Sequence, residues 1–354
     1  MKGAESMEKV RIGMVGSKFA ADFHADSHSR NPKAEIVAVA AIDNLEEYSS
    51  KWGVPDTLTD FKELCKRDDI DLIDVCVPNH LHYPVVMEAA RHKKNIICEK
   101  PFATSVEHAK EMLAFCKAQG VIVMYAEDWC FAPALVRAKT LVDEGAIGEI
   151  LWIKAKEVHN GSHSPFAQQK KFCGGGSLIH LATHPIGFVR WFMGEKVVEV
   201  NGWVTGGGEK NFYHKTYTGE DWGAAMLKLE SGKYAFCEGN YITVGGMDDK
   251  VEVYGTEGRL NIDLTFSSPI QCYSRPGFEY AIEKTDTTKH WTWPAVDEFH
   301  NLGYVDQLAY FVDCVLEGKE PAFGIRGEDG LACVEIIDAA YRSAETGGVI
   351  KGDW

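Results

Sequence analysis

The sequence predicts a two-part α/β fold, in which a parallel sheet flanked by helices precedes an α+β part with a large, mostly antiparallel open sheet. Short apolar runs alternate with amphipathic helical stretches through the first third of the chain, which is typical of βαβ units. The runs are almost continuously apolar, as expected for strands buried on both faces of a sheet. The predicted strands are Val10–Val15, Ile36–Ile42, Leu72–Val77, Asn95–Cys98 and Val121–Tyr125, with helices at Tyr83–His92 and Ser105–Gln119.

The pattern changes after about residue 129, where we place the boundary between a first domain of residues 1–129 and a second of residues 130–354. A predicted helix at Ala134–Glu144 leads into a long strand at Ile150–Val158. Two pairs of apolar runs then flank short glycine turns, which predicts antiparallel hairpins. The remaining elements are the hairpin strands Ala224–Leu229 with Tyr234–Tyr241 and Lys250–Tyr254 with Arg259–Leu264, and two closing helices, Val305–Glu317 and Glu328–Ala344.

The composition is that of a globular protein and argues against several classes of partner. The chain has 354 residues, enough for two domains. Its formal charge of −15 disfavours nucleic acid and an anionic membrane surface. No apolar run reaches the about 18 residues of a membrane span, and the polar start MKGAESMEKV does not resemble a signal peptide. The ten cysteines form no CxxC pair, so we expect a reducing cytoplasm.

A glycine turn follows the first strand, where a dinucleotide fingerprint G-x-G-x-x-G/A would lie. Gly16 supplies the first glycine and Ala21 the closing small residue, whereas Lys18 replaces the middle glycine. We expect Gly16, Lys18 and Phe19 to contact a dinucleotide, with the helix N-terminus facing its phosphates. The positive charge of Lys18 would partly offset the missing glycine by approaching the pyrophosphate.

Asp43 follows the second predicted strand directly. A carboxylate in that place accepts hydrogen bonds from a ribose 2′-OH and repels a 2′-phosphate. No arginine follows it, since the next residues are Asn44, Leu45 and Glu46. The sequence therefore predicts NAD rather than NADP as the cofactor. The alternative interpretation is that Asp43 only caps the following helix.

Three further segments carry a family resemblance. They read VPNHLH at 77–82, CEKP at 98–101 and GGGSLIHLATH at 174–184. Together with the glycine turn, they resemble the Gfo/Idh/MocA (glucose–fructose oxidoreductase, inositol dehydrogenase, rhizopine catabolism) oxidoreductase family over almost the whole chain. The Glu-Lys-Pro triplet after a strand is the most specific of these marks.

The resemblance implies an N-terminal Rossmann dinucleotide-binding domain and a C-terminal open-sheet domain that binds substrate and often forms the oligomer contact, so we expect a homo-oligomer. It implies that Pro78, Asn79 and His82 line the nicotinamide side of the cofactor. It also implies that Glu99 binds a cofactor ribose and that Lys100 lies beside the reacting oxygen.

The third segment supplies the predicted acid/base. The family usually has Asp-x-x-x-His here, and His184 matches the histidine while His180 stands in place of the aspartate. Oxidation of a carbinol releases a proton, which suits a histidine base, and Lys100 can stabilise charge on the oxygen. The alternative interpretations are that Lys100 is an exposed surface lysine and that His184 is a buried core histidine. Because Pro185 disfavours helix just before it, we predict that the regular helix starts at about Pro185.

Other polar and aromatic residues are predicted to contact the substrate. Asp128 and Trp129 follow the fifth strand at the sheet edge where ligands bind. Glu157 and His159 alternate onto one face of the long strand, and His163 lies just beyond it. Together with His180 and His184, the side chains of Glu157 and His159 could also hold a divalent ion. We favour contacts to sugar hydroxyls and predict no metal, because an HxxxH spacing alone is weak evidence.

These observations predict an NAD(H)-dependent dehydrogenase or reductase of a sugar, polyol or glycoside. A second hypothesis is a glycosidase-type cycle, in which NAD transiently oxidises a ring carbon and the hydride returns without net consumption. A third is a non-catalytic, dinucleotide-sensing regulator on the same fold, favoured by the Lys18 and His180 substitutions and disfavoured by intact Lys100 and His184.

Overall fold

The computed structural model describes residues 9–162, 164–278 and 287–354, and its first sheet is the predicted parallel one. Six strands lie in the order β3-β2-β1-β4-β5-β6, and every neighbouring pair is parallel. The short β3 at the edge was not predicted, because three residues carry too little pattern. The strands are β1 Val10–Val15, β2 Ala34–Ala40, β3 Asp56–Leu58, β4 Leu72–Val75, β5 Asn95–Glu99 and β6 Val123–Ala126.

Helices connect these strands and cover both faces of the sheet. Each α-helix up to the end of the sheet lies between two consecutive strands, which gives the right-handed crossover arrangement expected of parallel sheets. The helices are α1 Phe19–Ser29, α2 Leu45–Trp52, α3 Phe61–Cys65, α4 His82–Arg91 and α5 Val106–Gln119, with short 3₁₀ turns at Asn79–Leu81 and Asp128–Cys130.

The second sheet is large and mostly antiparallel, as predicted. Its strands lie in the order β12-β11-β7-β10-β9-β8-β15, and the pair β7–β10 is parallel. Both predicted hairpins are present as β9–β10 and β11–β12. The strands are β7 Ile150–Val158, β8 Val197–Val204, β9 Trp222–Leu229, β10 Tyr234–Asn240, β11 Lys250–Gly255, β12 Arg259–Asp263 and β15 Ile350–Lys351, with a separate pair β13 Cys272–Ser274 and β14 His290–Thr292.

The closing helices pack back against the first domain. Leu308 and Phe311 on α11 share a buried core with Ile12 and Met14 of β1, and α12 packs on both β8 and α5. In the part of the chain that the structure describes, no helix is long and apolar enough to cross a membrane. The remaining helices are α6 Pro133–Asp143, α7 Lys170–Cys173, α8 Ser177–His180, α9 Thr183–Met193, α10 Glu298–Asn301, α11 Tyr304–Glu317 and α12 Gly327–Thr346.

Two element boundaries differ from the prediction near the site. Helix α9 begins at Thr183, two residues before Pro185, because a proline in the first turn forfeits no intrahelical hydrogen bond. Strand β2 ends at Ala40, so Asp43 lies in the following turn rather than at the strand end. His180 ends α8 and His184 lies in α9, so the two histidines do not share one continuous helix.

Candidate active site

His184 lies in the first turn of α9 and is surrounded by carboxylates. Its Nδ1 is 2.7 Å from Glu127 Oε1 and 3.0 Å from Asp128 Oδ1, and its Nε2 is 3.5 Å from Glu157 Oε2. Glu127 and Asp128 follow β6, and Glu157 is the penultimate residue of β7. The ends of the two sheets therefore meet at one imidazole, and all four side chains are buried.

Trp129 packs against this group instead of presenting an open face to a sugar. Its ring stacks on the His184 ring, with centroids 5.8 Å apart and an interplanar angle of 15°, and meets Phe188 edge-on. Only 1% of Trp129 is exposed. The predicted substrate contact of Trp129 is therefore replaced by a positioning contact, in which the indole fixes the plane of the imidazole.

The surroundings of His184 favour its protonated form. Burial lowers the pKa of His184, but the negative charges of Glu127, Glu157 and Asp128 outweigh it and hold the pKa well above its ordinary value. The positive charge of Lys100 opposes them and lowers the pKa. Burial raises the pKa of Glu127, against the effect of His184. His184 can therefore accept a proton only when the pH is above this raised pKa.

Replacing Glu127 by glutamine should move the pH profile of oxidation to lower pH. The substitution removes the largest of the charges that raise the pKa of His184, so neutral imidazole forms at lower pH. We expect the acid limb of kcat/KM to shift by about one pH unit or more. Glu252→Gln is the matched control, because Glu252 is a partly exposed residue of β11 that pairs with Lys154 and not with His184. An unmoved acid limb in Glu127→Gln would show that His184 is not the group that titrates.

Lys100 extends from the first sheet to the segment that carries the histidines. Its Nζ lies 3.5 Å from the backbone carbonyl oxygen of His180. The His180 Nδ1 is 2.5 Å from the Tyr241 hydroxyl, and the ring of His159 packs at 5.6 Å from that of Tyr241. The structure thus brings Lys100, His180 and His159 to the same region as the His184 carboxylates, through a tyrosine that the sequence did not single out.

Glu99 is engaged inside the protein, in contrast to its implied contact with a cofactor ribose. Its Oε2 accepts a hydrogen bond from the Lys100 backbone N–H at 2.8 Å, and its Oε1 lies 3.0 Å from His24 Nε2. His24 also contacts Asp74 at 2.9 Å, and His28 Nε2 lies 2.8 Å from Asp74. This buried network fixes the backbone of the residue that carries the amine.

Two residues implied to line the nicotinamide have partners within the protein. His82 is fully buried, and its ring nitrogens lie 2.8 Å from the Pro101 carbonyl and 2.9 Å from the Val77 carbonyl. It therefore joins the two motif loops and leaves no ring nitrogen for a cofactor. Asn79 donates from Nδ2 to the Cys173 carbonyl at 3.1 Å, while Pro78 precedes it at the start of the 3₁₀ turn.

The glycine turn has the tight geometry that the fingerprint predicts. Gly16 has φ of +118°, and a Cβ there would lie 2.1 Å from the Cys76 carbonyl oxygen. Only glycine allows this approach of the first turn to the β4 edge. Helix α1 then begins at Phe19, which is half exposed, and its N-cap residue Lys18 makes no side-chain capping bond. The first-turn N–H groups of α1 are thus not capped by that side chain, which fits a dinucleotide pyrophosphate.

Lys18 forms an ion pair with the predicted ribose-binding residue Asp43. Its Nζ lies 2.6 Å from Asp43 Oδ2, and both side chains are largely exposed. Ser17 donates to the backbone carbonyl of Asp43 at 2.7 Å and so holds the two loops together. The half-exposed carboxylate of Asp43, next to the N-terminus of α1, fits NAD. Its partner Lys18 would carry a positive charge close to a 2′-phosphate.

Removing the Asp43 carboxylate should weaken discrimination against NADP. Asp43→Ala abolishes repulsion of the 2′-phosphate and releases the Lys18 ammonium to bind it. We expect the ratio of kcat/KM for NAD over NADP to fall about tenfold or more. The double variant Lys18→Ala with Asp43→Ala should lose most of the gained NADP activity. A wild-type preference for NADP, or identical single and double variants, would contradict this assignment.

Several features of the site were not predicted from the sequence or cannot be described. Glu127 was missed although it adjoins Asp128, and Tyr241 was missed because nothing in one strand reveals its partner. His163 lies outside the described residues. Ligand atoms of Glu127, Asp128 and His184 lie within 4.8 Å of one another, a different set from the one considered for a metal, and the absence of a metal stays a prediction.

Comparisons with known proteins agree with the two-sheet architecture. The NAD-binding Rossmann-fold model of the GFO_IDH_MocA oxidoreductase family matches residues 10–127, and its C-terminal domain model matches residues 135–261. The crystal structure of GenD2 from gentamicin A biosynthesis in complex with NAD superposes with a TM-score of 0.89. It is 26% identical and covers 100% of this chain and 99% of GenD2.

Two curated relatives extend the match across most of the chain. Myo-inositol 2-dehydrogenase of Thermotoga maritima is 25% identical over 97% of this chain and 98% of its own length. 2,7-Anhydro-N-acetylneuraminate hydratase of Mediterraneibacter gnavus is 30% identical over 73% of this chain and 68% of its own length. The family models span well over half of the sequence, and this protein is therefore a member of the Gfo/Idh/MocA family of oxidoreductases, with an NAD-binding Rossmann domain.

Proposed function

We propose that this protein is an NAD(H)-dependent dehydrogenase that oxidises a hydroxyl-bearing carbon of a sugar, polyol or glycoside, or reduces the corresponding ketone. The observation that carries the proposal is the buried His184, with three carboxylates around it and an ammonium brought to its segment by Lys100. An acid/base and a cation beside one another are what carbinol oxidation requires.

Each group has a distinct task in this reaction. NAD, when bound, supplies the acceptor for the hydride. His184 takes the hydroxyl proton, and Glu127 stabilises the imidazolium that forms. Lys100 places its positive charge beside the oxygen and stabilises the partial negative charge there. Asp128 and Glu157, which also contact His184, complete the polar lining and are proposed to bind neighbouring hydroxyls.

His180 stands where the family usually has an aspartate, and we propose that it orients the substrate without supplying that residue's negative charge. Its backbone carbonyl accepts from Lys100 and its ring pairs with Tyr241. The three carboxylates at His184 supply the negative charge that the aspartate would otherwise provide. We therefore assign His180 and His159 to substrate orientation, and we assign the proton transfer to His184.

A second candidate is a cycle in which NAD is reduced and reoxidised within one turnover. It is favoured by the 30% identical relative from Mediterraneibacter gnavus, whose name is that of a hydratase and not of a dehydrogenase. Oxidising a ring carbon acidifies the neighbouring C–H, which permits elimination and then return of the hydride. The same Lys100 and His184 would serve both reactions.

One experiment tests the proposal and separates the two candidates. The purified protein with NAD is offered a panel of sugars, polyols and glycosides while NADH absorbance and product composition are followed. Net NADH formation with a keto product supports the dehydrogenase. Cleavage or hydration without net NADH supports the cycle. No change in any substrate over the panel would contradict both.

The outer face of the second sheet is proposed to form a homo-oligomer contact. Trp203 on β8 and Tyr234 on β10 lie on this face and are 44% and 45% exposed, and exposed aromatic side chains of this kind would be covered in a contact between copies of the chain. Sedimentation analysis of the full chain and of Trp203→Glu measures the oligomer directly.

Nine of the ten cysteines are buried, which fits our proposal of a reducing cytoplasm.

A further inference from the structure

A cavity of about 230 Å³ opens on the second domain, outside the His184 group. Its wall includes aromatic side chains and a few polar ones. They come from the loop after β10, from the end of β12 and from the chain around β14 and α10. Its principal members are Met247, Phe266, Trp291, Thr292, Trp293 and Asn301.

One segment of the cavity wall leads directly to a residue that packs on Asp128. Leu302 lines the cavity, and the next residue, Gly303, packs so closely on the 3₁₀ turn that a Cβ would lie 2.2 Å from the Asp128 carbonyl oxygen. The Asp128 carboxylate is in turn 3.0 Å from His184 Nδ1. The wall and the proposed acid/base are thus linked by two adjacent residues and one backbone contact.

A second segment of the wall leads to the end of β7, which carries Glu157. Gly246 and Met247 line the cavity, and the next backbone N–H, that of Asp248, donates to the Val158 carbonyl at 2.8 Å. Val158 follows Glu157, whose carboxylate contacts His184 Nε2. The cavity wall is therefore linked to the catalytic group through two separate segments, one at Asp128 and one at Glu157.

The lining has the chemistry of a carbohydrate subsite. Trp291 and Trp293 are 61% and 40% exposed, and Phe266 meets Trp293 edge-on at 6.5 Å. Exposed indole faces stack on the C–H face of a sugar ring, and the Thr292 hydroxyl and Asn301 amide can bond its hydroxyls. Apolar walls with a few placed polar groups are typical of ligand pockets.

We propose that this cavity binds the second ring of a glycoside whose first ring is oxidised at His184. The inference rests on the proposed function, and it narrows the substrate from any sugar or polyol to a glycoside of at least two rings. Trp293 is assigned the stacking contact because its partly exposed indole lines the cavity and is supported edge-on by Phe266. A free monosaccharide would fill the catalytic part and leave the indoles in water.

The test compares a free monosaccharide with disaccharides that contain it, with the full chain and NAD. The wild type should show higher kcat/KM for a disaccharide, chiefly through lower KM. Trp293→Ala should lower the disaccharide-to-monosaccharide ratio of kcat/KM about tenfold, and Trp293→Phe should retain most of it. Leu151→Ala is the control, since Leu151 lies exposed on β7 of the same domain and does not line the cavity.

The outcomes separate this inference from the proposed function. Equal kcat/KM for both substrates, or an unchanged ratio in Trp293→Ala, would overturn the subsite while the enzyme remains a dehydrogenase. No NADH and no altered substrate with any sugar would overturn the proposed function itself. If Trp293→Ala does not fold, quenching of tryptophan fluorescence by the disaccharide, reduced in Trp293→Phe, decides the same question.

Discussion

His184→Ala should lower turnover by roughly 10²–10⁴ while NAD binding survives, because the substitution removes the positioned acid/base. The loss should appear in kcat and kcat/KM together, since the proton moves only as the carbonyl forms. NAD affinity measured by fluorescence titration should stay close to the wild type, because the glycine turn and Asp43 follow β1 and β2, which are separated from β6 by two or more strands. Turnover within about tenfold of the wild type would contradict the assignment.

A second variant guards this prediction against misfolding. Removing the imidazole leaves Glu127, Asp128 and Glu157 buried without their shared partner, and such uncompensated buried charge destabilises proteins. His184→Gln keeps a hydrogen-bond donor among the carboxylates and removes the titrating group. His184→Gln should lose about as much activity as His184→Ala and should unfold at a higher temperature than His184→Ala. His180→Ala is the comparison and should mainly raise KM.

Lys100→Met should cause the second large loss, also on the order of 10²-fold or more in turnover. Methionine keeps the length and the packing of the stem while the charge beside the reacting oxygen disappears. Because Lys100 lowers the pKa of His184, its loss should also raise that pKa. The acid limb of the pH profile should then move to higher pH, opposite to its movement in Glu127→Gln.

This pair of opposite shifts distinguishes catalysis from structure. A lysine that only packs between the domains would lower activity at every pH without moving the profile. Lys110→Met supplies the control, because Lys110 forms an exposed ion pair with Glu335 on the surface. Near-normal turnover in Lys100→Met, or a profile that stays in place, would show that Lys100 does not act beside His184.

The elements of the fold could be predicted because each carries its own pattern. The strand Ile150–Val158 matches the structure at both ends, and the parallel sheet follows from alternating apolar runs. Strand β3 and the pair β13–β14 have three residues per strand, too few to show a period. The start of α9 was misplaced because a proline is compatible with the first turn of a helix.

The site could be predicted only where a motif marks it. Lys100 and His184 stand in recognisable segments, whereas Glu127 acquires its role from a contact across 57 residues of sequence. Glu99 shows the converse, since its motif implies a ribose contact, which stays a prediction, but does not reveal that its carboxylate contacts His24 and the Lys100 backbone. The Glu127 contact depends on how the two sheets meet and the Glu99 contact on how α1 packs on β5, and local sequence encodes neither.

The most direct test of the central claim follows the hydrogen from the substrate. A sugar or glycoside that is turned over is prepared with deuterium on the oxidised carbon, and the nicotinamide is isolated and analysed after the reaction. We expect deuterium on the reduced nicotinamide ring, with the transfer slowed about 10²-fold or more in His184→Gln and in Lys100→Met. Deuterium that appears in water, or that never leaves the substrate carbon while product forms, would contradict it.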